Sequence, residues 1–226
     1  MAEEHVEKRF AEAVTELTSK VQAGFIDVED DHTDAETKCW LNSGGLPLDW
    51  SGADITCDEW FFITTLYGTM TLDGQRTHIR KFFPVFIQQV ARDIRCFTPA
   101  LVADWGLRQP WMKTRLCRMS DLLRQQRLTM NVYVASLRET ESRATPENPM
   151  PALARIMRNH RAGEGKTLSV FIRDCVKGNC FPIDSSVAKH LNAFRLPRDE
   201  RQLVSLCTRQ SLNPRRTARI FYQAPN

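Results

Sequence analysis

The 226-residue sequence contains no long apolar run. None of its apolar stretches approaches the roughly 18 to 20 residues that a membrane helix needs, so no membrane partner is expected. Residues 1–20 carry five glutamates, whereas a secretory signal begins with basic and then apolar residues. These features predict an intracellular protein, located in the cytoplasm and nucleoid or in a nucleus.

The sequence also lacks any two cysteines separated by two residues, the spacing found in many metal sites and redox motifs. Its seven cysteines are an odd number, which does not favour a disulfide framework, so most are expected to be reduced and buried. The nearest pair, Cys175 and Cys180, has four residues between its members and no histidine close by in sequence. We therefore expect neither a bound metal nor another cofactor.

No internal repeat, low-complexity tract or alternating strand–helix rhythm is present, and the apolar and charged fractions, 42% and 26%, are those of a globular chain. Apolar residues recur at helical spacing through most of the sequence, which predicts an all-α fold. The segment from Trp60 to Thr71 fits a buried helix or a strand pair, and we favour the helix. The other predicted helices cover 3–23, 81–95, 99–105, parts of 110–143, 152–159, 166–177, 185–194, 200–211 and 214–223.

Three regions are distinguished by composition. Residues 1–57 combine the first helix with an acidic, loop-like segment that we expect on the surface. Residues 58–150 form a helical region, and residues 151–226 a second one. The boundary between the two helical regions lies within residues 145–151, which contain three prolines.

Charge is distributed unevenly along the chain. Residues 1–59 hold 15 acidic and 4 basic side chains, and the remainder holds 12 acidic and 27 basic side chains. A strongly basic body gains affinity for a polyanion because each neutralised phosphate releases counterions. Two alternatives remain open. The basic face could be solvated and bind no ligand, or the acidic N-terminal region could dock on it in a partner-binding protein.

The stretch from Arg161 to Val187 carries the most specific pattern. Gly163 and Gly165 permit a tight turn between two helices whose backbone N–H groups can approach a phosphate. Lys166 begins the second helix, where the helix dipole and burial favour a neutral, nucleophilic amine. Asp184 follows Phe-Pro-Ile and precedes Ser-Ser, which is typical of a helix N-cap.

Together these residues resemble the helix-hairpin-helix DNA glycosylases, the superfamily that includes endonuclease III and 8-oxoguanine glycosylase. In that family a Gly-x-Gly hairpin precedes the catalytic lysine of the bifunctional members, and the essential aspartate lies 18 residues after the lysine, as Asp184 does after Lys166. The resemblance covers about residues 151–223. It implies two helical subdomains with a cleft between them, a helix-hairpin-helix motif, and a monomer that binds double-stranded DNA and excises a flipped-out base.

The chain departs from the family pattern in two respects. The family has one residue between the second glycine and the lysine, whereas Gly165 directly precedes Lys166. If the glycines set the register, Thr167 occupies the nucleophile position and the enzyme is monofunctional, without the lyase activity that Lys166 would supply. Cys207 is the only cysteine after Asp184. The four-cysteine iron–sulfur cluster that many endonuclease III relatives carry after the aspartate is therefore not expected.

Further residues have two interpretations each. Four aromatic side chains could stack on an extruded base, although core packing is the alternative: Trp60, Phe61, Tyr67 and Trp111. Trp105 could lie at a pocket or act as a wedge, and core packing is again the alternative. Backbone contacts to DNA are expected from Gly163, Gly165, Thr167, Lys189, Arg215 and Arg216. His160 and His190 are interpreted as surface or phosphate contacts.

Two rival functions use the same residues. Gly165-Lys166-Thr167 matches the end of a nucleotide-binding P-loop, but that motif needs a glycine at position 160, which is histidine. A non-catalytic DNA-binding module remains the main alternative to the enzyme. Within the enzyme hypothesis, base excision repair is the default role, and removal of modified bases from viral DNA is the second.

Overall fold

The computed structural model describes residues 2–21, 55–67, 72–107, 109–160 and 165–225. These residues form α-helices with short connections and contain no strand, so the predicted all-α class is confirmed. The helices are α1 (Ala2–Lys20), α2 (Cys57–Leu66), α3 (Leu72–Val90), α4 (Pro99–Ala103), α5 (Pro110–Gln125), α6 (Met130–Glu141), α7 (Pro151–Asn159), α8 (Gly165–Phe171), α9 (Ser185–Ala193), α10 (Glu200–Arg209) and α11 (Pro214–Gln223). A 3₁₀ turn covers Ile94–Cys96, and a π-helical turn, Ile172–Val176, continues α8.

The helix predicted at residues 81–95 is misplaced at both ends. Helix α3 begins at Leu72 and ends at Val90. It stops there because Ala91 and Arg92 adopt left-handed backbone, with φ of 50° and 61°, which no α-helix can contain. The predicted helix over residues 60–71 is confirmed as far as Leu66. Most of the acidic segment predicted as a loop lies outside the described residues.

Helix starts follow local capping chemistry. Thr56 and Glu59 form a reciprocal capping box at α2. Side-chain caps also occur at α4, α6, α9, α10 and α11, from Thr98, Thr129, Asp184, Asp199 and Asn213. Because these bonds join residues two or three apart, the sequence alone predicts most of these boundaries.

The buried apolar side chains form two clusters. The first extends from Ile55 to Cys180 and contains an aromatic stack in which the Phe62 and Phe86 rings lie 4.2 Å apart. The second joins α1 to the helices after Phe181, with the Phe10 and Phe221 rings stacked at 6.0 Å. Packing therefore divides the described chain between Cys180 and Phe181. The three-region division made from composition stays a prediction.

Among the helices of the described ranges, none has the length and apolar character required to cross a bilayer. The six cysteines described are free thiols, and four of them are buried. In the same part of the chain no three His, Cys, Asp or Glu side chains converge as metal ligands.

Candidate active site

Asp184 is the N-cap of α9, as its sequence context predicts. Its backbone is extended, and its Oδ1 accepts a hydrogen bond from the Val187 N–H at 2.8 Å. Among the described residues, Oδ2 accepts no hydrogen bond, so this oxygen can face a substrate. The side chain is half-buried at the point where the chain passes from the first cluster to the second.

Lys166 is the second residue of α8 and is half-buried. Its helix follows α7 after the five connecting residues 160–164. No described residue forms an ion pair or a hydrogen bond with the Lys166 amine. Gly165 begins the helix, and a Cβ at that position would lie 3.3 Å from Met157 Cε. Gly163 lies outside the described residues.

Lys166 and Asp184 make no direct contact, but one carboxylate joins the segments that carry them. The Ser169 hydroxyl, on the same helix as Lys166, donates to Glu200 Oε2 at 2.8 Å. The Phe181 N–H, three residues before Asp184, donates to Glu200 Oε1 at 2.6 Å. Burial raises the pKa of the Glu200 carboxyl, against the effect of these two hydrogen bonds.

A second carboxylate holds the same connecting segment from the other side. Glu141 accepts hydrogen bonds from the backbone N–H groups of Asn179 at 2.7 Å and Ala152 at 3.1 Å. Partial burial raises the pKa of the Glu141 carboxyl. Residues 179–181 are therefore tied to α6 and α10 by their backbone, immediately before the segment that ends at Asp184.

The Arg173–Asp174 ion pair and two phenols lie close enough for their charges to interact, and one of the phenols, Tyr222, also lies within reach of the Asp184 charge. Arg173 donates to both carboxylate oxygens of Asp174, at 2.6 Å and 2.9 Å. Burial and then the charge of Asp174 raise the pKa of the Tyr67 phenol. Burial and then the charge of Asp184 raise the pKa of the Tyr222 phenol. Both phenols are therefore neutral hydrogen-bond donors at neutral pH.

The start of α8 is held by a buried guanidinium. Arg115 is 1% exposed, stacks on the Trp111 ring with Cζ 4.6 Å from the ring centre, and donates a hydrogen bond to the Thr167 hydroxyl. Thr167 itself is 1% exposed. Its hydroxyl therefore points into the protein, whereas the predicted contact with DNA would need it at the surface.

His160, at the end of α7, is also buried. It is 3% exposed and packs on Phe61 with the ring centres 5.9 Å apart, and neither ring nitrogen has a hydrogen-bond partner within the described ranges. Burial, followed by the charges of Arg115 and Arg118, lowers the pKa of His160 to about 4. The interpretation of His160 as a surface contact is wrong, because the ring is buried against Phe61, which approaches from α2. His190 is likewise buried, with Nε2 3.2 Å from the Ala224 carbonyl.

The predicted base-stacking residues occupy different environments. Trp60 and Phe61 are 2% and 0% exposed and belong to the first hydrophobic cluster, which is the core packing named as their alternative. Tyr67 and Trp111 are half-buried. Tyr67 lies close enough to the Arg173–Asp174 pair and to Tyr222 for their charges to act on its pKa.

A separate groove of about 530 Å³ lies between α3 and α4. Trp105 forms part of its wall, and its indole N–H donates to Gln89 Oε1 at 3.0 Å. The remaining lining residues are Lys81, Phe82, Val85, Ala100, Leu101 and Asp104. Trp105 is 7% exposed and belongs to the first hydrophobic cluster, which is its core-packing interpretation, and part of it also forms the groove wall.

The predicted backbone contacts near α9 and α11 are accessible. Lys189 and Arg216 are exposed, and Arg215 is half-buried with its charge close enough to lower the pKa of Glu141. Sequence reasoning missed two exposed arginines, Arg118 and Arg158, that form no ion pair among the described residues. Arg158 lies in the last turn of α7 and could have been inferred from the adjacent predicted turn, whereas Arg118 lies in the middle of α5, far along the sequence, and could not.

Sequence reasoning also missed Glu200, Arg173 and Tyr222. In the sequence, Glu200 is an ordinary acidic residue in the first turn of a predicted helix. Nothing in the neighbouring sequence indicates its hydrogen bond to Ser169, which is 31 residues away. Comparisons of the chain with protein-family models, curated proteins and solved structures found no match.

Proposed function

We propose that this chain is a DNA glycosylase that flips a damaged, mismatched or modified nucleotide out of duplex DNA and cleaves the bond between base and deoxyribose. The observation that carries the proposal is Asp184, a helix-capping carboxylate with one unbonded oxygen, 18 residues after the lysine of a basic helix start. The two residues lie on segments that bond the same carboxylate. This arrangement agrees with the resemblance to the helix-hairpin-helix glycosylases.

The reaction places positive charge on the sugar as the base departs. Asp184 Oδ2 stabilises that oxocarbenium-like transition state, while Oδ1 stays bonded to the helix end and fixes the carboxylate. The base leaves with the electron pair of the glycosidic bond and takes up a proton. The neutral Tyr222 phenol lies beside Asp184 and can donate a hydrogen bond to the sugar or the base.

The identity of the nucleophile decides the products. Once its amine has given up a proton, Lys166 Nζ can form a bond to C1′ as the bond from C1′ to the base breaks. The C1′–O4′ bond then opens, O4′ takes up a proton from Nζ, and the resulting Schiff base permits strand cleavage by β-elimination. The burial of Thr167 and its bond to Arg115 favour Lys166 over Thr167 as the residue that faces the substrate. Attack by water instead leaves an abasic site.

Substitution at Asp184 tests the proposal. Base release is measured under single-turnover conditions from a panel of duplexes, each with one altered base, which also identifies the substrate. Asp184→Asn keeps a good N-cap but removes the negative charge, and it is expected to lower the rate by about 100-fold or more without weakening DNA binding. Asp199→Asn is the matched control, because Asp199 caps α10 in the same way, with its carboxylate 2.8 Å from the Gln202 nitrogen.

Three outcomes are informative. Loss of activity in Asp184→Asn alone supports the assignment, and equal activity in both variants refutes it. DNA binding without base release from any duplex identifies the chain as a non-catalytic binding module. Borohydride trapping of a covalent adduct that is lost in Lys166→Gln but retained in Lys20→Gln supports the lyase step, and base release without trapping assigns a monofunctional enzyme.

A further inference from the structure

Glu200 combines features that helix capping does not require. It is the first residue of α10, where an acidic side chain is favourable even when fully exposed. The neighbouring Asp199 already caps the helix. The side chain of Glu200 is nevertheless half-buried, and this burial raises the pKa of its carboxyl group. Because burying a carboxylate is costly, its two hydrogen bonds indicate a role beyond the start of α10.

Those two bonds connect the halves of the candidate site. Ser169 lies three residues after Lys166 in α8, and residues at that spacing are neighbours on one helix face. Phe181 begins the second cluster, and its N–H is fixed three residues before Asp184. The connecting residues include Pro182, whose ring restricts the backbone. A displacement of Phe181 is therefore transmitted to Asp184.

We propose that Glu200 is a positioning residue, a latch whose carboxylate sets the separation between the Lys166 helix and the Asp184 segment. This inference rests on the proposed glycosylase function and deepens it. Glu200 touches neither substrate nor reacting atoms, and it acts through Ser169 and the Phe181 backbone. Displacement of a reacting group by about 1 Å can cost two orders of magnitude in rate, so a loosened latch lowers the rate of base release without weakening DNA binding.

The latch is tested by single-turnover base release and by binding to a duplex that contains a stable abasic-site analogue. Ser169→Ala is expected to lower the rate by about 10-fold or more and to leave the dissociation constant within about twofold. Ser205→Ala is the matched control, because Ser205 lies on α10 and donates only to the Arg201 carbonyl of its own helix. Circular dichroism gives the folded fraction, so that rates are compared per folded molecule.

Two Glu200 variants separate latching from stability. Glu200→Ala removes both hydrogen bonds. The Ser169→Ala/Glu200→Ala double variant is expected to release base no more slowly than Glu200→Ala, because the two substitutions break the same connection. Glu200→Gln can accept from the Phe181 N–H and donate to Ser169, whose hydroxyl already lies 3.3 Å from the Gly165 carbonyl. The glutamine variant is therefore expected to retain most of the rate.

Wild-type rates per folded molecule in Ser169→Ala and Glu200→Ala would overturn the latch and leave Glu200 a structural residue. Additive losses would also overturn it, because independent effects imply no shared connection. A wild-type chain that releases no base from any duplex would overturn the proposed function together with the role of Glu200. The first two results leave the function of Asp184 intact, so the two failures are distinguishable.

Discussion

His160 shows how one buried residue sets a pH dependence for the whole protein. Its imidazole has no hydrogen-bond partner in the part of the chain that the structure describes, and it lies close to the positive charges of Arg115 and Arg118. Protonation in the folded state would place a charge in an apolar environment, next to two like charges. The unfolded chain pays no such cost, so acid favours unfolding.

We predict a loss of stability in acid that depends on His160. The pKa of the group falls from 6.5 in the unfolded chain to about 4 in the folded protein, so its contribution is present above pH 6.5 and is lost as pH falls toward 4. At about 1.4 kcal/mol per pKa unit, the loss reaches about 3 kcal/mol. Denaturant unfolding at several pH values should give a flatter profile for His160→Leu than for wild type. His5→Leu, an exposed-histidine control, should follow wild type, and a similar slope in all three proteins would contradict the prediction.

At this scale the sequence predicts what depends on near neighbours. Asp184 was assignable as an N-cap because its bond to Val187 spans three residues. The burial of His160 and Thr167 was not predictable, since it depends on Phe61 and Arg115, which approach from other helices. The hydrogen bonds of Glu200 could not be predicted from the sequence either, because their partners, Ser169 and Phe181, lie 31 and 19 residues away.

At the scale of elements, the segment between the π-helical turn and α9 controls where Asp184 stands. The turn ends at Lys177, whose backbone is left-handed with φ of 64°. Gly178 follows in close contact with its surroundings, where a Cβ would lie 2.8 Å from Ile172 Cγ2 and 3.2 Å from Glu141 Cδ. Glu141 could not approach the Asn179 N–H if position 178 carried a side chain.

We predict that Gly178→Ala destabilises the protein by about 1–3 kcal/mol, the usual cost of overpacking, and lowers the rate of base release. Gly165→Ala is the comparison for stability, because its Cβ meets only the flexible end of Met157, at 3.3 Å. Alanine in α8 also has the better helix propensity. Denaturant unfolding measures both variants, and equal losses in the two would contradict this account of the segment.

Element bounds follow the same division between local and distant causes. Helix α11 was predicted to the residue, since Asn213 caps it and Pro214 occupies its first position. The end of α3 was misplaced because nothing local marks Ala91 and Arg92 for left-handed backbone. The π-helical turn was predicted only as continued helix, because its hydrogen-bond spacing leaves no trace in apolar periodicity.

At the scale of the molecule, the proposed function requires exposed basic side chains that can contact the DNA backbone. Lys189 and Arg216 are exposed and form no ion pair among the described residues. Many other exposed cations are already neutralised by partners, such as Arg143 by Glu139 and Arg124 by Asp121. DNA affinity should therefore depend on the unpaired cations rather than on total charge.

We predict that Arg216→Gln weakens binding to any duplex sequence and reduces the slope of log affinity against log salt by about 0.9, the loss of one phosphate contact. Arg143→Gln removes the same charge from a paired position and should leave the slope unchanged. Titrations at several salt concentrations measure both. An equal reduction in the two variants would mean that net charge alone sets the affinity.

The packing of α1 on the C-terminal helices constrains the order in which the protein can form. The Glu7 carbonyl accepts a hydrogen bond from Gln210, 203 residues further along the chain. During synthesis the first helix therefore emerges from the ribosome long before its partners exist. The middle of the chain, from Ile55 to Cys180, can assemble in the meantime, whereas the second cluster closes only when α1 meets the helices that follow Phe181.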